Sequence, residues 1–318
     1  MHWKESIELA HRRIAAHIRT TDVERSPWLE AEHAEVHLKL ENFQVTGSFK
    51  ARGALNKLLL LSPDERTRGV VAASSGNHGA AVAWAAGTLG APARVFVPTY
   101  ADPGKVAAIE ARGAQVHVHG EDCVDTEIHA RSVAEADALA YVSPYNDPDV
   151  VAGQGTLAIE MHAQCGPLDA LFVAVGGGGM IGGIGAWMKA VHPTTEIIAC
   201  SPAHSPAMHA SMEAGMLVTP PCLETLSDAT AGGIEEDALT LELCRRVVDR
   251  SLLVDESAIA RAMTGILEHH HMLIEGAAAV AVAGFQQVAA EYKGRRVAIV
   301  LCGANVGIDK LQTVLHAR

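Results

Sequence analysis

Apolar positions along the chain switch repeatedly between a helical period and a strand period. Ile7, Ala10, Ile14 and Ile18 recur every three or four residues and predict an amphipathic helix over residues 3–20. Glu35-Val36-His37-Leu38-Lys39-Leu40 alternates with period two and predicts a strand. A second helix is predicted from Lys50 through Leu55, Leu58 and Leu59 to a stop at Ser62-Pro63. Short apolar strands are then expected at 69–73, 93–97, 115–118, 141–142, 170–175 and 196–200. Helices at 77–89, 104–112, 124–139, 149–165 and 181–191 separate them. Residues 201–235, rich in Pro, Met and Gly, interrupt the pattern. It resumes with strand 251–254, helices 255–271 and 276–291, strand 297–301 and helix 307–315. Strands joined by helical crossovers predict an α/β fold with parallel sheets covered on both faces.

Composition narrows the function classes. The 318 residues are 49% hydrophobic, enough for one large or two medium domains. A net charge of −12 without a long basic run argues against nucleic-acid or membrane partners. An aromatic fraction of 4% offers little surface for stacking bases. No apolar run reaches transmembrane length, and the polar N-terminus is unlike a signal peptide. The six cysteines are dispersed, with no CxxC and no zinc spacing, so a reducing cytoplasm is expected.

Candidate chemistry gathers at four junctions and one lysine. Gly47-Ser48-Phe49-Lys50-Ala51-Arg52-Gly53-Ala54 sets Lys50 between an aromatic residue and an apolar helix. Burial favours the neutral, nucleophilic amine there, and a solvated helix lysine is the competing reading. Ser74-Ser75-Gly76-Asn77-His78-Gly79 opens a helix after a strand, which suits either a carboxylate on free amides or a plain N-cap. Gly176-Gly177-Gly178-Gly179-Met180 also opens a helix after a strand, and four consecutive glycines let backbone amides approach a phosphate. Gly177, Gly179 and Gly182 fit GxGxxG as well, but the next strand begins with Glu196 and ends at Cys200, without the acid a dinucleotide site wants. Cys302-Gly303-Ala304-Asn305 follows a strand, so its thiol either meets a ring nitrogen or is a small buried hydrophobe. Glu275 either faces the cleft or sits in the first turn of helix 276–291, and position alone favours the second. His269-His270-His271 point to different faces of one helix and cannot chelate one ion together.

An anion loop, a phosphate loop, a lysine beside an aromatic ring and a turn residue for a ring nitrogen suggest pyridoxal phosphate. SFKARGA, SSGNHG, AGQGT, GGGGM and CGAN, in this order, resemble the fold-type II pyridoxal-phosphate enzymes of the serine/threonine dehydratase and serine racemase family. The resemblance implies that Lys50 forms the Schiff base and acts as base, with Phe49 packed on the ring. It implies that Asn77 bonds the phenolic oxygen, that Gly176 to Gly179 with Met180 hold the phosphate, and that Cys302 faces the ring nitrogen. Ser74, Ser75, Gly76, Asn77 and His78 match the loop for the substrate carboxylate. Gln154, in Ala152-Gly153-Gln154-Gly155-Thr156, matches a segment beside the site. Ser75 matches the second acid/base of racemases, so both Lys50 and Ser75 are catalytic candidates.

The activity implied is β-elimination from a hydroxy amino acid such as L-threonine or L-serine, giving a 2-oxo acid and ammonia. A racemase with side eliminase activity is the alternative, and an NAD-dependent oxidoreductase a more distant one. Ser201-Pro202-Ala203-His204 lacks the carboxylates of the family's divalent-cation site, so no metal is expected. The resemblance also implies a homodimer, a large domain from residues 1–68 and 143–318, and a small inserted domain at 69–142.

Overall fold

The computed structural model describes residues 2–32, 34–121 and 123–316. In chain order the elements begin α1 (Trp3–Ile14), β1 (Val23–Arg25), β2 (Glu35–Lys39), α2 (Lys50–Leu60) and α3 (Pro63–Arg68). Then come β3 (Val70–Ala73), α4 (Asn77–Leu89), β4 (Ala93–Val97), α5 (Pro103–Glu110), β5 (Gln115–Val118), α6 (Cys123–Ala136) and β6 (Ala140–Tyr141). Next are α7 (Pro148–Cys165), β7 (Ala170–Ala174), α8 (Gly179–Val191), β8 (Glu196–Pro202), α9 (Ala207–Ala214) and α10 (Leu239–Val247). The chain closes with β9 (Arg250–Val254), α11 (Glu256–His270), α12 (Gly276–Val288), β10 (Arg296–Val300) and α13 (Ile308–His316).

The strands form two sheets. One has the order β1-β2-β10-β7-β8-β9, parallel except for the short β1, which runs antiparallel to β2. The other, β5-β4-β3-β6, is parallel throughout. Central strands buried on both faces explain the near-continuous apolar runs of β7 and β10. Residues 69–142 contain the whole four-stranded sheet. Its core nevertheless draws Leu55 and Leu58 from α2, and Ile14 and Val150 from further away. On α2 the buried apolar positions Ala54, Leu55 and Leu58 make one helical stripe, which faces the small sheet's core.

Three differences from the sequence reading have local causes. α1 stops at Ile14, because His17 N–H bonds the carbonyl of Ile14 and tightens the last turn. Ser62-Pro63 starts a helix instead of only ending one: Ser62 and Glu65 make a reciprocal capping box, with proline at the first helical position. α9 lies inside the stretch read as irregular, and α10 was not anticipated. The buried residues of α10, Thr240, Leu243, Cys244 and Val247, have the spacing that would have shown it.

Candidate active site

The lysine is placed by a backbone seam. Thr46 and Gly47 are both left-handed (φ 66° and 75°), and the turn they make presses the next residues against the end of β10. Ser48 bridges Gly303, Phe49 N–H donates to the Cys302 carbonyl (3.0 Å), and Ala304 N–H donates to Gly47 (2.9 Å). Lys50 therefore emerges beside the Cys302 turn. Its Nζ donates to the Pro144 carbonyl (2.7 Å) and lies 5.2 Å from the Phe49 ring centroid. Burial pushes the amine down to about 8, against the opposing pull of Cys302 and Glu275. Desolvation, not a neighbouring cation, makes this amine easy to deprotonate. Cys302 is itself buried, and burial together with Glu275 raises its pKa, so the thiol stays neutral.

The glycine run leaves the carboxyl end of β7 and enters α8 at Gly178, whose φ of 84° favours glycine. A side chain has no room at Gly177: an added Cβ would meet the Tyr145 ring at 2.3 Å. At Gly176 it would meet Thr230 at 2.9 Å. The first helical bond of α8 runs from Gly182 N–H to Gly178, which leaves the amides of Gly179, Met180 and Ile181 without a helical acceptor. Glycine-lined and amide-rich, this end suits a phosphate. Tyr145 follows Pro144, so the segment that meets Lys50 also packs on the glycine loop. The Tyr145 hydroxyl accepts from Glu235 N–H (2.8 Å).

The third junction repeats the pattern on the small sheet. Ser74 Oγ accepts from Gly76 N–H (3.1 Å), and the first helical bond of α4, from Ala80 to Gly76, leaves the amides of Asn77, His78 and Gly79 without a helical acceptor. Ser75 and Gly76 are half-buried in this turn. The His78 ring is buried, with Nε2 2.8 Å from the Val142 carbonyl. Burial, with the charge of Lys50, pushes its pKa down to about 3. A neutral ring tied to Val142, just after β6, leaves His78 a main-chain N–H to offer an anion.

Glu275, which position alone assigns to a helix end, and Asn305, which carries no predicted role, complete this junction. Asn77 Nδ2 donates to both carboxylate oxygens of Glu275 (2.8 and 3.0 Å), and Asn305 N–H donates to Glu275 Oε2 (3.1 Å). Asn305 Nδ2 donates to Asn77 Oδ1 (2.5 Å) and to the Thr46 carbonyl (2.8 Å). Glu275 is only 2% exposed, and burial lifts its carboxyl to about 7 despite the bond from Asn77. It is the N-cap residue of α12 but makes no side-chain cap, so the helix-end role favoured by its position is not the one it has. The missed signal was a lone acid inside the apolar run from Met272 to Phe285, where a charge needs a partner.

Gln154 stands apart from these groups. It is 1% exposed in the interface of α2 and α7, where its Oε1 accepts from Gly53 N–H (3.1 Å). The glycines beside it let helices touch: an added Cβ at Gly153 would lie 2.6 Å from Gly53 Cα, and one at Gly155 would lie 2.9 Å from the Gly183 carbonyl. The segment thus fixes α2, which carries Lys50, relative to α8, which opens at the glycine loop. The histidine run is structural: His269 stacks on Trp28, and His270 Nε2 lies 2.7 Å from Ser26 Oγ. Among the described residues no group of three or more His, Cys, Asp or Glu side chains is placed to hold a metal ion.

A deprotonable lysine beside a ring, a neutral thiol, and a helix N-terminus opened by glycines that neighbouring groups leave no room to substitute form a donor set that fits pyridoxal phosphate. The GxGxxG alternative lacks its acid: the strand after the glycine run, β8, ends at Cys200-Ser201-Pro202.

Comparison with known proteins gives the same family. The profile of pyridoxal-phosphate dependent enzymes matches residues 14–303. An L-threonine ammonia-lyase of Thermotoga maritima is 37% identical over 98% of this chain and 78% of its own length. An L-threo-3-hydroxyaspartate ammonia-lyase of a Pseudomonas species is 35% identical over 96% of each. The structure of maize serine racemase superposes with a TM-score of 0.92 at 31% identity, covering 99% of this chain and 97% of that one. The chain belongs to the pyridoxal-phosphate dependent enzymes, with the fold-type II architecture of that group and pyridoxal phosphate as its cofactor.

Proposed function

We propose that the protein is an ammonia-lyase that eliminates the hydroxyl and then the amine of a β-hydroxy amino acid, L-threonine or L-serine being the first candidates, to give a 2-oxo acid and ammonia. The observation that carries this is the pairing of Lys50, its amine pushed down to about 8, with a neutral Cys302 across the seam of Phe49 and Cys302. The ammonia-lyases among its relatives support the same reaction class.

Pyridoxal phosphate, when bound, supplies a Schiff-base carbon and an electron-withdrawing ring. Lys50 anchors it, Phe49 packs against it, and Cys302 faces the ring nitrogen. The amides at Gly176, Gly177, Gly178, Gly179 and Met180 hold the phosphate. Ser74, Ser75, Gly76, Asn77 and His78 receive the substrate carboxylate at the start of α4, and Asn77 also meets the phenolic oxygen. Gln154 acts one step back, by fixing α2. Lys50, as free amine, takes the Cα proton as general base, and the Pro144 carbonyl gives its Nζ a resting place when it holds no other bond. Cys302, kept protonated, has no negative charge with which to hold a proton on the ring nitrogen. That favours prompt expulsion of the β-hydroxyl over slow exchange of the Cα proton.

Residues 69–142 act as a small inserted domain against a large domain from 1–68 and 143–318, and closure between them excludes water. A homodimer in the cytoplasm is the assembly and setting this reading carries. Free thiols at Cys165, Cys200, Cys222, Cys244 and Cys302 fit a reducing compartment. Among the described residues no helix is long and apolar enough to cross a membrane.

The test is a panel of β-hydroxy amino acids, assayed for 2-oxo acid, ammonia and stereochemistry. Equal yields of 2-oxo acid and ammonia from at least one L-substrate are expected. L-serine converted mostly to D-serine, with little pyruvate, would point to the racemase and overturn the lyase assignment.

A further inference from the structure

We infer that Glu275 is a positioning residue that, together with Asn305, locks the amide of Asn77 so that an N–H, and not the carbonyl, is offered to the phenolic oxygen of pyridoxal phosphate. This rests on the proposal that Asn77 faces that oxygen.

An asparagine amide is nearly symmetric in shape, and only its partners decide which end points where. Here the decision runs from the Thr46 carbonyl, which cannot turn round, and the ionised Glu275 agrees with it. The Thr46 carbonyl only accepts, so the atom of Asn305 beside it is Nδ2 (2.8 Å). That same Nδ2 donates to Asn77, so the atom of Asn77 on that side is Oδ1 (2.5 Å). The Glu275 carboxyl, when ionised, also only accepts, and it takes Asn77 Nδ2 at 2.8 and 3.0 Å. Both ends of the Asn77 amide are therefore fixed by acceptors and donors that agree. One hydrogen on Nδ2 satisfies the carboxylate, and the second is left for an acceptor in the cleft. A phenolate is such an acceptor, and the reversed amide would set a carbonyl oxygen against it.

The surroundings fit a carboxylate at this place. An added Cβ at Gly303 would lie 2.6 Å from Glu275 Oε1, so the glycine of the Cys302 turn makes room for it. Glu275 N–H in turn donates to the Gly303 carbonyl (3.0 Å), which ties the start of α12 to the end of β10. The lock joins four segments: the Thr46 turn that leads to Lys50, the start of α4, the start of α12, and the turn after β10.

The experiment compares holoenzymes of Asn77→Ala, Glu275→Gln, the double variant, Glu275→Asp and Asn305→Ala. The readouts are the apparent affinity for pyridoxal phosphate on dialysis and the position of the visible band of the bound cofactor. Asn77→Ala and Glu275→Gln are each expected to weaken retention by about tenfold and to shift the band, a loss in the range for a hydrogen bond to a charged group. The double variant is expected to match Asn77→Ala alone, because Glu275 acts through Asn77, and Glu275→Asp is expected to restore most of the affinity. Effects that multiply in the double variant would overturn the inference. Asn77→Ala with unchanged affinity and band would instead overturn the placement of Asn77 against the cofactor, and the inference with it. Should Glu275→Gln fail to fold, Asn305→Ala carries the same comparison. It removes the other half of the lock, and an effect additive with Asn77→Ala would likewise overturn the inference.

Discussion

One residue, Ala51, separates Lys50 from Arg52 on α2, and the helix turns them to different surroundings. Arg52 has no exposed surface. Its guanidinium makes paired bonds to Glu41 (2.8 and 2.8 Å) and to Glu160 (2.7 and 2.8 Å). Lys39 completes the group, donating to Glu160 (2.7 Å) and to the Thr21 carbonyl (2.6 Å). Two cations and two carboxylates thus balance in the interior. Burial works against the guanidinium, but Glu41 and Glu160 outweigh it and raise its pKa further. Lys50 is desolvated too, yet its bond is to a neutral backbone carbonyl, and its pKa falls. The same helix therefore carries a cation held permanently charged and an amine free to lose its proton. What differs is whether carboxylates are fixed beside the charge.

The sharpest way to break this contrast is to remove the amine. Lys50→Ala should lower turnover by about a thousandfold or more, the range for loss of a positioned base and more once the covalent anchor goes with it. The unfolding temperature should move by only a few degrees, because Lys50 holds no carboxylate. Retained turnover would refute the mechanism. A collapse of the fold would place Lys50 with Arg52 among the structural cations.

Next in size is the opposite experiment. Arg52→Met leaves Glu41 and Glu160 buried without their shared partner, and should destabilise the protein by about 3–5 kcal/mol in denaturant melts. Adding Glu41→Gln to Arg52→Met should recover part of the loss, since the unpaired carboxylate goes and Glu160 keeps Lys39 as its partner. If Arg52→Met melts like the parent, the buried group does not anchor α2, and the contrast with Lys50 loses its structural half.

The two regions also differ in how far they could be read from sequence. The glycine run and the Cys302 turn were legible because each lies at a strand end, where chain order alone predicts a ligand-facing position, and Lys50 because its local motif sets it between an aromatic residue and an apolar helix. Glu275 and the buried quartet were not legible as partners, because their meaning is tertiary. Glu41 and Glu160 lie 119 residues apart and meet on Arg52. Lys39 alternates with apolar residues as a solvent-facing strand residue would, yet β2 lies between β1 and β10, and His37 and Lys39 are buried as well. The α/β alternation was recovered because parallel sheets bury both faces of each central strand. The domain that α2 packs against was not, since its stripe reads the same whichever core receives it.

The smallest effect expected tests the amine without altering the chain. In protein stripped of pyridoxal phosphate, Lys50 should react with cyanate along a curve whose midpoint lies near pH 8, against about 10.4 for ordinary lysines. At pH 8 about half of Lys50 is neutral, where an ordinary lysine is neutral to well under one per cent, so its labelling should lead by roughly a hundredfold. The sign carries over to stability. Between pH 8 and the ordinary lysine range the unfolded chain binds a proton at this residue that the folded chain does not, so Lys50 favours folding increasingly as pH rises through that window. Lys39, which burial also lowers, has no exposed surface and should stay unlabelled while the protein is folded. A Lys50 midpoint in the ordinary lysine range would mean a solvated lysine, and the difference between the two ends of the motif Phe49-Lys50-Ala51-Arg52 would then lie in geometry alone, with no share for proton affinity.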